Sequence, residues 1–234
     1  LLLQSEGLKT LALTGMKGEL LNRMNALIRK PYGMIVVTGP TGSGKSTTLH
    51  AAMHEIQRPD LKIITIEDPI EYFLPWAVQV QVNPKIGLDF LSILRGILRH
   101  DPDVMLLGEM RDAETSHAAI QTALTGRLLL STLHTNDAIS AIYRLMDLGI
   151  EPYLIAASVH AVLAQRLLRK ICPDCKQEAA LTADQKAWLV RAGLQEKSGV
   201  FWEGKGCNAC RQTGYQGRQA IFELLEIDEA MCEA

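Results

Sequence analysis

Residues 39–47 read "GPTGSGKST" and satisfy the spacing G-x-x-x-x-G-K-[ST], with Gly39, Gly44, Lys45 and Ser46 at the fixed positions. The chemistry this spacing suits is the grip on a phosphate chain. Phosphate oxygens are held by backbone N–H groups at a helix N-terminus, and glycines let the main chain come close. Gly39, Thr41, Gly42, Ser43, Gly44, Lys45, Ser46 and Thr47 are therefore the candidate nucleotide-binding residues. In such a loop the lysine reaches the β- and γ-phosphates and the hydroxyl after it binds Mg²⁺. A glycine-rich turn with an incidental lysine is the bland alternative. It does not explain the strand pattern "MIVVT" before the loop and the helix pattern "KSTTLHAAMHEIQ" after it.

Carboxylates cluster at two further strand ends. "TIEDPIEY" (65–72) closes an apolar, β-branched run with Glu67 and Asp68, and Glu71 follows. Parallel sheets bind their ligands at the carboxyl ends of strands, so one of these groups can orient a water for attack on a γ-phosphate. A solvated acidic turn is the competing reading. "DVMLLGEM" (103–110) ends in Gly108 and Glu109, where a phosphate loop's partner strand usually ends in a metal-holding aspartate. "STLHTND" (131–137) ends another strand with His134, which can touch a phosphate or serve a purely structural role.

Four of the five cysteines form two C-x-x-C pairs, Cys172/Cys175 and Cys207/Cys210. Each pair can grip one side of a tetrahedral Zn²⁺ through thiolates, and two pairs complete a closed structural site. In a chain with no secretory signal such pairs favour metal over disulfides; redox-active thiols are the alternative. Cys232 lies outside the pattern and reads as a plain thiol.

The elements that must position these groups follow from periodicity. Helices are expected at 17–29, after the phosphate loop, at 89–100 with Asp89 as N-cap, and at 112–125, 137–147, 151–168 and 183–192. Strands are expected at 34–38, 61–67, 104–107 and 127–133. "AVQVQV" (77–82) alternates as a half-exposed strand suited to an antiparallel edge hairpin, and 218–227 reads as a final strand. Strands alternating with helices imply an α/β fold with a parallel sheet covered on both faces. The expected organisation is a lead-in segment (1–30), a nucleotide-binding core (31–169), a zinc module (170–216) and a C-terminal segment (217–234). With 47% hydrophobic residues in 234, the chain can bury a substantial core. Its net charge of −2 disfavours nucleic acid as main partner. No apolar run approaches the roughly 18 residues of a membrane span, and the absent initial Met suggests a fragment of a longer protein.

Together these motifs resemble the traffic ATPases of type II secretion and type IV pilus assembly. "GPTGSGKSTTL" is similar to that family's Walker A loop, "TIEDPIEY" to its aspartate box, "PDVMLLGEMRD" to its Walker B strand and "TALTGRLLLSTLHTNDA" to its histidine box. The resemblance implies a RecA-like P-loop core, ATP hydrolysis with Mg²⁺, a homo-hexameric ring, and a cytoplasmic motor peripheral to the inner membrane that engages platform proteins there. Family Walker B strands carry Gly-Glu, so Gly108 is no defect. By resemblance Lys45, Glu71, Glu109 and His134 are the catalytic residues: Glu109 acts at Mg²⁺ and its waters, Glu71 positions the attacking water, and Glu67 and Asp68 support them. The histidine box usually begins Thr-Gly-His, but here Arg127 follows Thr125 and Gly126, which removes a neutral base. The secretion and pilus-extension branches carry a four-cysteine module, implying Zn²⁺ at Cys172, Cys175, Cys207 and Cys210. The family's upstream domain supplies arginines to the nucleotide, and most of it is expected to be missing; Arg95, Arg99 and Arg111 remain unassigned. A nucleic-acid translocating ring is the rival function, and a ring subunit that binds ATP without hydrolysis is a third.

Overall fold

The run "GMIVVT" forms β1 (Gly33–Thr38), whose six residues are all buried. A strand buried on both faces must be covered on both, and its alternating side chains divide accordingly. Met34 and Val36 join one apolar cluster; Ile35 and Val37 join the other. In this computed structural model, which describes residues 10–193 and 200–228, β1 lies inside a seven-stranded sheet. Cys232 and residues 1–9 and 229–234, which belong to the expected lead-in and C-terminal segments, fall outside the described residues.

The chain enters through α1 (Gly18–Leu27), then β1, α2 (Lys45–Ile56), β2 (Ile63–Glu67) and β3 (Val78–Gln81). It continues through α3 (Phe90–Ile97), β4 (Val104–Leu107), α4 (Ala113–Leu124), β5 (Leu128–Leu133), α5 (Ala138–Asp147), α6 (Pro152–Ser158) and β6 (Val159–Ile171). Then follow β7 (Lys176–Ala179), α7 (Ala183–Arg191), β8 (Phe201–Gly204) and β9 (Tyr215–Glu226). The sheet order is β3-β2-β4-β5-β1-β6-β9, and β3 through β6 in that order are linked by parallel ladders. Helix starts follow side-chain chemistry: Asp89, Asp112 and Asp137 each accept a backbone N–H from the first turn of α3, α4 and α5.

Two expectations need correction. Residues 151–168 are not one helix: α6 stops at Ser158 and β6 begins at Val159. "VHAVLAQ" is apolar on both sides of a strand, a pattern that a buried helix shares. The decision comes from β1, along which β6 pairs with a register shift between Met34 and Ile35. Val159 and Val162 then pack into one cluster, Ala161 and Leu163 into the other. The second correction concerns β3. It is a half-exposed edge strand as expected, but it runs parallel to β2, with Ile64 opposite Val78 and Glu67 opposite Gln81. The expected hairpin is absent because the chain crosses back through 68–77 before pairing. Within that crossing Phe73 is exposed, Leu74 is buried and Trp76 packs on the core edge-on to His54.

The chain divides into two compact units. One holds residues up to 167 and from 220 onward; the other is 168–219. The smaller contains the β7–β8 antiparallel pair and α7, which a capping box of Thr182 and Gln185 starts. Lys176 and Arg169 lie over the rings of Trp202 and Tyr215. Among the described residues, no helix is long and apolar enough to cross a membrane.

Candidate nucleotide site and thiol cluster

Because its strands run parallel, the larger unit brings the carboxyl ends of β1, β2, β4 and β5 to one edge, with Gln165 of β6 alongside. The loop after β1 leads directly into α2, so the first-turn N–H groups of α2 face that edge. Gly44 caps α2 in the left-handed region (φ +88), and a Cβ there would stand 2.9 Å from Gln165 Nε2. At Gly39 a Cβ would meet the Gln165 carbonyl oxygen at 2.4 Å. Both glycines are required by how closely β6 underlies the loop. Gln165 is itself buried: its Nε2 donates to Ser43 O (2.9 Å) and its Oε1 accepts from the Thr48 hydroxyl (2.7 Å).

Lys45 extends back over this loop. Its Nζ donates to Gly39 O (2.9 Å) and Pro40 O (3.2 Å) and lies 3.5 Å from His134 Nδ1. The other ring nitrogen of His134 is 3.5 Å from Glu109 Oε2, and Glu109 also pairs with Arg111. Cation, imidazole, carboxylate and guanidinium thus stand in a row built from three strand ends, those of β1, β5 and β4. Burial pushes the Lys45 ammonium below its ordinary range, and Glu109 opposes that push. Among the described residues the Ser43 hydroxyl is buried without a partner, a donor of the kind that phosphate oxygens use.

Gly108 has its own steric reason. A Cβ there would lie 3.1 Å from Ile66 O and 3.5 Å from Phe90, while the Gly108 carbonyl accepts from the Thr132 hydroxyl (2.7 Å). The close approach of β4 to β2 leaves the carboxylate to the next residue.

The acidic segment after β2 divides in two. Glu67 is buried and fully engaged: Thr65 donates to Oε1 (2.6 Å), Gln79 donates to Oε1 (3.1 Å), and His50 Nε2 lies 3.0 Å from Oε2. The last contact is an ion pair without the alignment of a hydrogen bond. Burial opposes both charges, but mutual attraction wins: His50 is raised and Glu67 lowered from their ordinary values. Glu71 is exposed and makes no ion pair or hydrogen bond among the described residues, though its field reaches His50. Asp68 acts on Arg111 through its charge alone.

In the smaller unit the four thiols of Cys172, Cys175, Cys207 and Cys210 lie within 4.8 Å of one another. The separations of Cys172–Cys207 and Cys175–Cys210 are 3.9 Å, and that of Cys207–Cys210 is 3.7 Å. A tetrahedron of thiolates around Zn²⁺, with Zn–S of about 2.3 Å, has edges of about 3.8 Å. Burial would raise the Cys210 thiol, but N–H groups of Cys207 and Gly214 aimed at its sulfur bring it down to about 6. The donor set fits the metal.

Residues 2–234 match the family model described as "Type II/IV secretion system protein". The chain belongs to this family. A type II secretion system protein E of Aeromonas hydrophila is 52% identical over 213 residues, covering 91% of this chain and 42% of that protein. The type IV pilus assembly ATPase PilB of Thermus thermophilus is 47% identical over 215 residues, covering 91% of this chain and 24% of that protein. Against these relatives the chain spans less than half of their length. Among solved structures, the pilus retraction motor PilT with bound ADP superposes with a TM-score of 0.67 at 30% identity, over 97% of this chain and 56% of that one.

Within this type II/IV secretion family member the structure brings Lys45, His134 and Glu109 together. Glu71 stands outside that row. Arg127 is at the other end of β5, roughly 20 Å from His134 at 3.3 Å per residue; there it binds Asp101 and Thr125. Its replacement of a histidine therefore leaves this chain's own phosphate loop untouched. Three residues escaped the sequence reading. Gln165 was hidden by the helix assigned to its segment. His50 carried a signal, four residues after Ser46 on the same helix face. Arg111, two residues after Glu109, has no role assigned by the sequence.

Proposed function

We propose that this chain is the motor portion of a ring ATPase that drives assembly of a pilus or secretion pseudopilus, hydrolysing MgATP to ADP and phosphate. The observation that carries the reading is the row of Lys45, His134 and Glu109 beside the glycine-rich loop 39–44 at the start of α2. The N–H groups of residues 42–47 would cradle the phosphates, and Lys45 would leave its carbonyl partners for the β- and γ-oxygens. The Ser46 hydroxyl would hold Mg²⁺, with Glu109 binding its waters. Bound Mg²⁺ would offset charge on the β- and γ-phosphates as the terminal bond breaks. His134, touching both Lys45 and Glu109, would register the γ-phosphate. Glu71, exposed and with no hydrogen bond or ion pair among the described residues, would orient the attacking water. Gly39, Thr41 and Thr47 complete the cradle.

In the smaller unit Cys172, Cys175, Cys207 and Cys210 would hold one Zn²⁺, which stabilises the module and takes no part in hydrolysis. A homo-hexameric ring, platform proteins as partners and a position against the cytoplasmic side of the inner membrane belong to the same reading. The test is MgATP hydrolysis by the purified chain against Lys45→Ala, with double-stranded and single-stranded DNA added in parallel. Turnover lost in Lys45→Ala and indifferent to DNA supports the motor; stimulation by DNA would favour a nucleic-acid translocase.

A further inference from the structure

We propose that His50 is a positioning residue that couples the phosphate loop to the acidic segment 67–72, its Nε2 holding Glu67 while the first turns of α2 tie its backbone to Ser46. The inference rests on the reading of 39–47 as the ATP loop. On one side Nδ1 contacts Ser46 O at 2.7 Å, one helical turn back in α2. On the other, Nε2 is 3.0 Å from Glu67, the last residue of β2. Both side chains are about 7% and 6% exposed.

A second strand of contacts runs beside the first. The Tyr72 ring tilts against His50 at 5.0 Å, and its hydroxyl lies 3.3 Å from Thr47 Oγ1. Gln79 Nε2 donates to both Glu67 Oε1 and Tyr72 O, at 3.1 and 2.8 Å. Ser46, Thr47 and His50 on α2 are therefore tied to Glu67 and Tyr72, which bracket Glu71.

Stability alone does not explain such a pair. A buried ion pair loses desolvation energy comparable to its attraction, and apolar residues of similar volume commonly serve as well. What the pair adds is a fixed distance. When the loop and the first turn of α2 close on phosphates, the displacement at Ser46 passes along a rigid helical turn to His50. From there it reaches Glu67 and the carboxylate four residues on. Misplacing a reacting group by about 1 Å can cost about 10²-fold in rate, so a fixed spacing between Ser46 and Glu71 has catalytic value.

Two substitutions separate the arms. His50→Asn places an amide where Nδ1 stood and cannot reach Glu67; His50→Gln reaches Glu67. The chain is titrated with a non-hydrolysable ATP analogue and Mg²⁺, and amide exchange of 67–72 is followed. Hydrolysis is measured in the same samples. In wild type and His50→Gln, analogue binding slows exchange in 67–72. In His50→Asn we expect affinity within about threefold of wild type, most of that slowing lost, and kcat down about tenfold or more with KM nearly unchanged. Should His50→Asn melt below the assay temperature, His50→Phe keeps the ring volume without either nitrogen and reads the same loss. Full slowing of 67–72 in a variant lacking the Glu67 arm overturns the coupling alone. Failure of the wild-type chain to bind the analogue overturns the ATP-loop reading and the coupling with it.

Discussion

Lys45 keeps its ammonium against two carbonyl oxygens and His134, in a place where burial already disfavours its charge. Removing it by Lys45→Ala should abolish hydrolysis and weaken nucleotide binding, because the γ-phosphate loses its cation; turnover within twofold of wild type would remove the phosphate-loop assignment. Glu109→Gln and Glu71→Gln should each lower turnover about 10²-fold or more while leaving ATP binding largely intact. Normal turnover in Glu71→Gln would hand the water-positioning role to Glu109, which the structure already sets beside Lys45. The His50–Glu67 pair gives a different kind of handle. Glu67 is lowered below its ordinary 4.5, so its contribution is present above that value and is lost as pH falls through the lower folded value. His50 is raised above 6.5, so its contribution is complete below 6.5 and disappears as pH rises through the higher folded value. Its surroundings are the Ser46 carbonyl, the Tyr72 ring, and the charges of Glu67 and Glu71. Without Mg²⁺ or nucleotide, the stability gap between wild type and Glu67→Gln should therefore be widest between pH 4.5 and 6.5. A thermal melt series across pH checks it; a gap that is flat with pH would mean the pair is not charged.

At the level of elements, β6 carries a lesson in what a sequence leaves open. Residues 39–47 were readable because backbone donors, glycines and a lysine must occur at fixed spacing. Glu109 and His134 stand out in the sequence only as polar groups that end apolar strands abruptly; their expected roles come from the family resemblance. Val159–Gln165 had no such punctuation: the segment is apolar toward both faces, and only its place beside β1 decides between helix and strand. The direction of β3 was open for a related reason, since alternation reports exposure and not the sense of pairing. Once β6 is a strand, Gln165 becomes the brace of the loop. Gln165→Leu leaves the Thr48 hydroxyl and Ser43 carbonyl buried without partners, a cost of about 1–3 kcal/mol per group. It should lower the melting temperature and weaken ATP binding together. A variant that melts lower yet binds normally would show that the brace supports the sheet and not the loop.

For the whole molecule, the two units and the part of its relatives' length that the chain spans set the expectations. Elemental analysis should find close to one zinc per chain, and a chelator should release residues 168–219 to amide exchange before the larger unit, because structural zinc contributes folding energy directly. Identical exchange with and without chelator would argue against the metal. Hydrolysis by this chain should be slow. An arginine on the γ-phosphate is worth roughly 10³-fold or more, yet Arg23 is held by Glu226, Arg111 by Glu109 and Arg166 by Asn136. A longer protein of the length of its relatives should turn over faster at equal active-site concentration; matching rates would place the catalytic charge within 1–234. The brace on the phosphate loop has one more consequence, in the order of synthesis. Ser43 and Gln165 are separated by 122 residues, so a ribosome displays the loop long before it makes the strand that holds it. During that interval the motif exists as sequence, but the loop lacks the buried amide that fixes Ser43 and the helix start behind it. Long-range parallel pairing is intrinsically late and slow to form. A nascent chain arrested before β6 should therefore fail to retain ATP, and one arrested after β9 has emerged should bind it.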